Sequence, residues 1–312
     1  MSEVESRFTG ALLGTFVGDA LGRPYEGWGS IIRRGVPNEM ITTRKGHAAY
    51  TDDTQMMIGV AESLVACGGF DGADMASRFV ENFDFMRSYG MGAVRVIRRL
   101  KAGEPWDQAG AGLFGSGSYG NGSAMRIAPI GVLYYDDEEK LSEVAQLSSS
   151  ITHTHPLGKQ GAMLQAYAVA LALRYGLAGH LDAKEMINKL RDFLPEDADL
   201  FRDKIATVER LLAEEPSHGE VTRLLGNGIT SFESVPTAIY SFLSHPGSFE
   251  DAVVYAVSLR GDADTIGAMT GAIAGAYHGY QGIPSRWVEK LENGTKGRDY
   301  VIQLARELFN NL

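Results

Sequence analysis

The chain has 312 residues, of which 44% are hydrophobic and 22% charged, the composition of a globular protein with a substantial core. Its formal net charge of -10 argues against direct nucleic-acid binding, because phosphate backbones are bound mainly by basic surfaces. A single cysteine excludes an intrachain disulfide framework.

No targeting or membrane segment is predicted. The first residues lack a basic stretch followed by an apolar one, so they do not resemble a signal peptide. The most apolar stretch, residues 266–277, is much shorter than the roughly 20 residues that a membrane-spanning helix needs. We therefore expect an intracellular, cytoplasmic protein without membrane contacts. The sequence leaves the oligomeric state open, with a monomer favoured.

A glycine repeat marks the first predicted helix, over residues 6–22. Glycines recur every four residues from Gly10 to Gly22, which places them on one face of a helix. Glycine in a helix costs about 1 kcal/mol relative to alanine, so several in register need a reason. A matching repeat runs from Gly267 to Gly279. The pattern predicts two closely packed helices whose polar ends meet, although each ridge could instead pack against another element.

Glu26 follows the first helix, in a segment over residues 22–29 whose glycines and proline predict a loop. A glutamate in a loop is usually solvated. This one comes directly after a helix of small residues, so a precisely located acid is the alternative interpretation.

The next predicted helix, over residues 51–66, begins with two adjacent carboxylates, Asp52 and Asp53. Thr51 is a good N-cap, and acids in a first turn stabilise a helix, so a purely structural role is one interpretation. Cys67 ends the same apolar run, and we expect it to be a buried, inert thiol.

Residues 71–86 and 91–102 predict two further helices, and a glycine-rich segment follows over residues 114–122. Four glycines in nine residues expose backbone N–H groups and allow a ligand to approach the main chain. Because a helical pattern over 124–133 comes next, the segment could hold a diphosphate. The alternative is a plain turn. It is neither a Walker A loop nor a dinucleotide fingerprint.

His153 and His155 lie between helices predicted over 139–151 and 158–175. No thiol accompanies them, so a closed structural zinc site is not expected. His153 could donate a hydrogen bond to a ligand or be a structural, hydrogen-bonded histidine.

The C-terminal half predicts charged helices over 182–225, a core helix over 231–243 entered at Pro236, and a polar helix from about Ser285. No segment alternates polar and apolar residues with period two. We therefore predict an all-α fold in one domain, residues 1–312, built as a compact orthogonal multi-helix bundle with a central two-metal cleft.

A second acidic stretch, Asp262 and Asp264 followed by Thr265, precedes the second glycine ridge. If it converges with Asp52 and Asp53, four negative charges meet in a partly buried site, which is unfavourable without counter-charge. Two divalent cations balance that charge. Carboxylate and hydroxyl oxygens suit Mg²⁺ or Mn²⁺. The sequence therefore predicts a two-metal site.

Four motifs in this order resemble the ADP-ribosylglycohydrolase family, and they extend over residues 10–280. They are Gly18-Asp-Ala-Leu-Gly22 with Pro24 and Glu26, Tyr50-Thr-Asp-Asp-Thr54, Gly120-Asn-Gly-Ser-Ala-Met-Arg126 and Gly261-Asp-Ala-Asp-Thr265. The resemblance implies an all-α domain, two Mg²⁺ or Mn²⁺ ions, and cleavage of the bond at C1″ of the distal ribose of ADP-ribose.

Four further features resemble the ADP-ribosylserine hydrolase branch of that family: Arg87–Gly92, Gly117–Gly122, Ile151–His153 followed by Leu157-Gly158, and Ser234–Tyr240. Poly(ADP-ribose) or O-acetyl-ADP-ribose could also be substrates. One alternative is an ADP-ribosylarginine hydrolase, although that branch usually carries an aspartate near residues 89–92, where this chain has none. Another is a structural protein similar to the J1-type lens crystallins, which would not need the metal ligands.

The resemblance also implies roles for individual residues. Glu26 matches the glutamate that acts on the scissile bond, and Tyr119 is suited to stack on adenine, with Phe114 a candidate for the second stacking ring. The implied metal ligands are Thr51, Asp52, Asp53, Asp262, Asp264 and Thr265. The implied ADP-ribose-binding residues are Gly117, Ser118, Tyr119, Gly120, Asn121, Gly122 and His153, of which Asn121 and His153 match groups near the distal ribose.

Overall fold

The computed structural model describes residues 1–27 and 37–312, so the loop predicted over 22–29 extends partly outside the described residues. All regular structure within these ranges is helical, and only isolated β-bridges occur besides it. The all-α prediction is confirmed. The α-helices are α1 Glu3–Gly22, α2 Asp52–Cys67, α3 Gly72–Asn82, α4 Met91–Lys101, α5 Ala128–Leu133, α6 Glu138–Ser150, α7 Pro156–Ala178, α8 Ala183–Phe193, α9 Asp199–Leu212, α10 His218–Leu224, α11 Ser231–Ser244, α12 Phe249–Ser258, α13 Ala263–His278, α14 Ser285–Val288 and α15 Arg298–Phe309.

Helices α1 and α13 pack against each other through their glycines. A Cβ atom on Gly14 would lie 2.1 Å from the carbonyl oxygen of Gly271, and one on Gly18 would lie 2.0 Å from that of Gly267. Gly10 meets Gly275 in the same way, so the helices run antiparallel. The predicted pairing of the two ridges is confirmed, and only glycine allows so close an approach.

The polar ends of these two helices therefore meet. Gly22, the last residue of α1, lies against Ala263 and Asp264 at the start of α13. The chain that leaves α1 reaches Glu26 four residues later, next to the second acidic stretch.

The core surrounds this central pair. Helix α1 is buried from Ser6 to Gly22, and α13 from Ala263 to Ala276. Helices α7, α11 and α12 pack on α13, while α15, α2 and α5 pack on α1. In the described ranges, no helix combines the length and the apolar character needed to span a membrane.

One predicted helix start is wrong, and Pro236 does not have its predicted place at the entry of a helix. The helix expected over 124–133 begins at Ala128, because Met125 and Ile127 form turns instead and Pro129 fits the first helical turn. Helix α11 begins at Ser231, so Pro236 lies inside it. Hydrogen bonds from the backbone and hydroxyl of Ser231 to the carbonyl of Tyr119 hold that first turn in place.

Two other expectations, the burial of Cys67 and a continuous C-terminal helix, are wrong. Cys67 is exposed, because it is the last residue of α2 and lies where the helix extends past the core. The C-terminal helix expected from Ser285 is divided into α14 and α15. Between them the backbone on either side of Leu291 pairs with Ala48 instead of continuing a helix.

Candidate active site

A cleft of about 350 Å³ lies where α1, α2 and α13 meet the glycine-rich segment. A larger groove of about 890 Å³ crosses α6, α7 and α8, but none of the predicted residues lines it. The predicted site residues that line the cleft are Glu26, Asp52, Asp53, Ser118, Gly120, Asn121, Gly122, His153, Asp262, Asp264 and Thr265. The remaining three, Thr51, Gly117 and Tyr119, are next to lining residues in the chain.

The first acidic stretch is fixed by Asp19 of α1. The buried Asp19 carboxylate accepts hydrogen bonds from the Thr51 backbone N–H at 2.9 Å and from the Thr51 hydroxyl at 2.9 Å. It also accepts from the Thr54 hydroxyl at 2.5 Å. Thr51 in turn caps α2 by accepting from the Asp53 N–H. Asp19 thus joins α1 to the N-terminus of α2, where Asp52 and Asp53 face the cleft.

The second acidic stretch is fixed by a tight turn before α13. Arg260 and Gly261 both have left-handed backbone conformations, with φ of 63° and 69°. A Cβ on Gly261 would lie 2.1 Å from the carbonyl oxygen of Asn227, so the position favours glycine on both counts. The Asp262 N–H donates to that same carbonyl at 2.9 Å. This turn directs Asp262 into the cleft.

Glu26 joins the second stretch through the backbone. The Gly27 N–H donates to the Gly261 carbonyl at 3.0 Å. One carboxylate oxygen each from Glu26, Asp262 and Asp264 then lies within 4.8 Å of the others. The Thr265 hydroxyl lies 3.5 Å from Asp53 Oδ1, which connects the two acidic stretches across 212 residues of sequence.

The glycine-rich segment forms a wall of the cleft and is held from three sides. The Asn121 N–H donates to the Ile229 carbonyl at 2.9 Å, and the Asn121 side chain donates to Asp262 Oδ2 and to the Ser234 hydroxyl. Gly117 has φ of 95° and packs so tightly on Thr154 that a Cβ would lie 2.2 Å from its hydroxyl. The predicted helix over 124–133 implied that this segment lies at a helix N-terminus. It does not, because α5 starts only at Ala128.

Two exposed aromatic rings belong to this wall. Phe114 is 63% exposed and lies against Gly92, and it lines the cleft. Tyr119 is 44% exposed, and its ring contacts that of His155 edge-on at 5.4 Å. Both rings are exposed to solvent, and their stacking on adenine stays a prediction.

His153 is buried beside the glycine-rich segment and lines the cleft. Its Nδ1 lies 2.7 Å from the hydroxyl of Thr152. Burial, with a further contribution from the buried cation of Arg126, lowers the pKa of His153 to about 3. The imidazole is therefore neutral near pH 7.

Comparison with known proteins decides the family. The ADP-ribosylglycohydrolase family model matches residues 1–312. The chain belongs to this family. It is 37% identical to the ADP-ribosylhydrolase ARH3 of Mus musculus, over 97% of this chain and 92% of that relative. It is 36% identical to the ARH3 of Homo sapiens, over 97% and 94%.

A solved structure supports the same assignment to the ADP-ribosylglycohydrolases. It is described as an ADP-ribosylglycohydrolase-related protein complex and is 29% identical in sequence. Its TM-score is 0.76, and the similarity covers 99% of both chains. The fold expected from the resemblance is therefore confirmed over essentially the whole chain.

The electrostatics of this ADP-ribosylglycohydrolase cleft fit bound cations. Burial, followed by the charge of Asp19, raises the pKa of Asp52 to about 8 and raises that of Asp53 strongly. Burial likewise raises the pKa of Asp262 to about 6, and burial with the charge of Asp262 raises that of Asp264 strongly.

Asp53 supplies the most direct test of the fit. Its Oδ2 is buried and has no hydrogen-bond partner among the described residues. A buried carboxylate oxygen without a partner is costly, and a divalent cation would supply that partner. Carboxylate and threonine oxygens are also the ligands that Mg²⁺ and Mn²⁺ prefer. The acidic cluster can therefore hold metal.

Some residues of the cleft were not predicted. Met56, Met91 and Ile229 line it, and Asn227 fixes the turn before Asp262. Ile229 and Asn227 lie in a short connection before α11 that has no recognisable motif, so no sequence pattern pointed to them. Asp19 could have been noticed in the sequence, because it is an acid near the end of the glycine ridge. Its hydrogen-bond partners, Thr51 and Thr54, could be identified only from the structure.

Proposed function

We propose that the chain is a metal-dependent ADP-ribosyl-acceptor hydrolase that removes ADP-ribose from serine side chains by cleaving the bond at C1″ of the distal ribose. The observation that carries the proposal is the meeting of two acidic stretches on the floor of one cleft. Asp53 and Thr265 are 212 residues apart in sequence and 3.5 Å apart in space. A glycine-rich wall completes the cleft.

The proposed cofactor is a pair of divalent cations, Mg²⁺ or Mn²⁺. The side chains that would hold them are Thr51, Asp52, Asp53, Asp262, Asp264 and Thr265. When bound, the cations supply positive charge that orients the sugar hydroxyls and makes a nucleophile available near neutral pH. Two ions, rather than one, would balance the four aspartates.

The glycine-rich segment is suited to the diphosphate. Gly120 and Gly122 line the cleft, and the absence of side chains there lets an anionic group approach the backbone N–H groups. Asn121 is held by Asp262 and Ser234, so its amide has one orientation. In this arrangement the diphosphate lies along the wall and the distal ribose lies over the aspartates.

Glu26 is the proposed proton-transfer group. It lies at the edge of the acidic cluster, close to Asp262 and Asp264, and its side chain is exposed. Cleavage breaks the bond between C1″ and the serine oxygen with oxocarbenium character, and water adds at C1″. The water loses one proton and the serine oxygen gains one. Glu26 would mediate this exchange as general base or acid.

The segments that resemble the serine branch support the serine linkage. The 36–37% identity to the mammalian ADP-ribosylhydrolases ARH3 supports hydrolysis of an ADP-ribosyl bond. The test is release of ADP-ribose from a serine-linked peptide, beside an arginine-linked peptide, with Mg²⁺, Mn²⁺ or EDTA. Asp264→Ala is compared with Asp136→Ala, which removes an exposed aspartate outside the cleft.

The expected result is metal-dependent release from the serine-linked peptide, lost in Asp264→Ala and retained in Asp136→Ala. Release from only the arginine-linked peptide would replace the proposed linkage. No release and no ADP-ribose binding would reject the enzymatic function.

A further inference from the structure

Thr152 and His153 form a buried hydrogen-bonded pair beside the cleft. Thr152 is 2% exposed and His153 is 8% exposed. The 2.7 Å contact joins the Thr152 hydroxyl to Nδ1 of the ring, which leaves Nε2 as the other polar atom of the imidazole. Nε2 makes no hydrogen bond to any residue in the described ranges, and the ring lines the cleft.

The hydroxyl can donate only one proton, and a count of partners decides where it goes. The other hydrogen bond of Thr152 uses its backbone N–H, which donates to the Ser149 carbonyl. If Nδ1 carried the ring proton, the Thr152 hydroxyl proton would be buried with no acceptor in the described part of the chain. Buried donors are rarely left unsatisfied. The hydroxyl therefore donates to Nδ1, and the ring proton lies on Nε2.

The surroundings keep this arrangement fixed. The Ser149 hydroxyl donates to the His153 carbonyl at 3.2 Å and lies 2.9 Å from the Ser123 hydroxyl, so it is not available to Nδ1. Because burial and the Arg126 cation keep the imidazole neutral, the ring has a single N–H proton. The position of that proton decides whether the ring donates or accepts in the cleft.

Nε2 lies next to the glycine-rich wall. A Cβ on Gly122 would lie 3.2 Å from Nε2, and a Cβ on Gly120 would lie 3.5 Å from it. Between these glycines, Asn121 contacts Asp262 of the acidic floor. A ligand oxygen near Nε2 would therefore lie where the wall meets the floor, between the diphosphate and the distal ribose of ADP-ribose.

We propose that Thr152 is a positioning residue that holds His153 in the Nε2-protonated tautomer, so that the imidazole donates a hydrogen bond to an oxygen of the bound ligand. The identity of that ligand, ADP-ribose, rests on the function proposed above, whereas the tautomer does not.

The tautomer can be read directly by ¹⁵N NMR of the seven histidines in the Mg²⁺-loaded protein, with the His153 signals assigned by their loss in His153→Asn. Wild-type protein is expected to show a protonated Nε2 and an unprotonated Nδ1 that accepts a hydrogen bond. Thr152→Val should remove this preference, and Thr152→Ser should keep it. Thr15→Val is the control, because the Thr15 hydroxyl is buried but bonds only within α1.

Binding gives the second measurement, by calorimetry with ADP-ribose. Loss of one neutral hydrogen bond predicts a Kd about 3- to 10-fold higher in Thr152→Val, with near wild-type values in Thr152→Ser and Thr15→Val. A protonated Nδ1 in wild-type protein would overturn the proposal, as would an unchanged tautomer in Thr152→Val. If wild-type protein bound no ADP-ribose, the proposed function would fail while the NMR result still decided the tautomer.

Discussion

Asp53 and Asp264 are buried carboxylates close to other carboxylates, and burial raises the pKa of each strongly. On its own this arrangement opposes folding, because ionised groups are removed from water without a cationic partner. A bound divalent cation would offset this cost by supplying the missing positive partner. At the residue scale, the acidic floor of the cleft is therefore better explained by metal binding than by the helix-start role that either stretch would have alone.

Glu26→Gln tests the assignment of proton transfer. The amide keeps the size of the side chain but cannot exchange a proton, so kcat should fall about 10²- to 10⁴-fold. The Kd for ADP-ribose should change little, because Glu26 lies at the edge of the cluster. Glu289→Gln, an exposed glutamate outside the cleft, is the control. Full activity of Glu26→Gln would remove this residue from the mechanism.

Asp19→Asn tests the residue that positions Thr51. Asp19 accepts hydrogen bonds from the backbone and hydroxyl groups of Thr51 and Thr54, whereas asparagine would present an NH₂ group to some of these donors. We expect a loss of about 1–3 kcal/mol in the free energy of unfolding. Mn²⁺ affinity should fall about 10- to 100-fold, as for other residues that orient metal ligands. Unchanged Mn²⁺ affinity by calorimetry would contradict the positioning role.

Residue types predicted that the two acidic stretches meet, and the Thr265 hydroxyl does lie 3.5 Å from Asp53 Oδ1. They gave no reason to expect Glu26 beside Asp262 and Asp264, which only the family resemblance implied. Their roles as ligands or catalyst stay predictions. Spacing could not predict Ile229 or Asn227, because these residues reach the cleft only through the turn between α10 and α11. That turn is set by long-range contacts, such as the Ile229 carbonyl with Asn121.

At the scale of elements, the contact between α1 and α13 positions the cleft. Every fourth residue on the facing sides is glycine, so the two backbones approach until a methyl group would not fit. The antiparallel arrangement brings the end of α1 to the start of α13. This contact was predictable because the glycine repeat has a helical period and costs stability unless two helices meet there.

Gly14→Ala tests that contact. Alanine favours a helix by about 1 kcal/mol over glycine, but here its Cβ would lie 2.1 Å from the Gly271 carbonyl oxygen. Forcing the helices apart should lower the free energy of unfolding by about 1–3 kcal/mol. Gly219→Ala in α10 is the matched control, because its nearest neighbour lies 4.0 Å from the added Cβ. Gly219→Ala should leave stability unchanged or raise it, and equal effects of both variants would contradict the close packing.

Local pattern failed where tertiary contacts set a helix boundary. A proline usually stands in a first turn, yet α11 starts five residues before Pro236 because Ser231 is held by the carbonyl of Tyr119. The apolar run after Gly122 suggested a helix. Instead, the backbone N–H groups of Ala124 and Met125 both donate to the Asn121 carbonyl and form turns. In both cases the deciding partner is remote in sequence or belongs to the wall of the cleft.

At the scale of the whole molecule, the acidic cleft links stability to pH and metal. The folded pKa values of Asp262 and Asp52, about 6 and about 8, lie above the ordinary value of 3.8. Each of these groups has a higher pKa in the folded state than in the unfolded state. Its contribution to the free energy of unfolding is therefore fully present below the unfolded-state pKa and is lost as the pH rises through the folded-state pKa. The free energy of unfolding of the metal-free protein should therefore decrease as the pH rises from about 4 to about 8.

Thermal unfolding in EDTA and in Mg²⁺ or Mn²⁺ measures this linkage. We expect the metal-free Tm to fall as pH rises from about 5 to about 8. Divalent cations should raise Tm more at the higher pH, since they compete with protons for the same oxygens. The metal effect should disappear in Asp264→Ala and persist in Asp136→Ala. A metal-induced rise in Tm that was the same at both pH values would contradict the linkage.

We propose that two acidic stretches, far apart in sequence, hold one pair of cations. Electron paramagnetic resonance of the Mn²⁺-titrated protein tests it most directly, because ions about 3.5–4 Å apart in a two-metal site couple magnetically. We predict two Mn²⁺ ions per chain with a coupled spectrum, lost when either Asp53 or Asp264 is replaced by alanine. A single uncoupled Mn²⁺ ion, or binding that survives both substitutions, would rule out a metal pair shared by the two stretches.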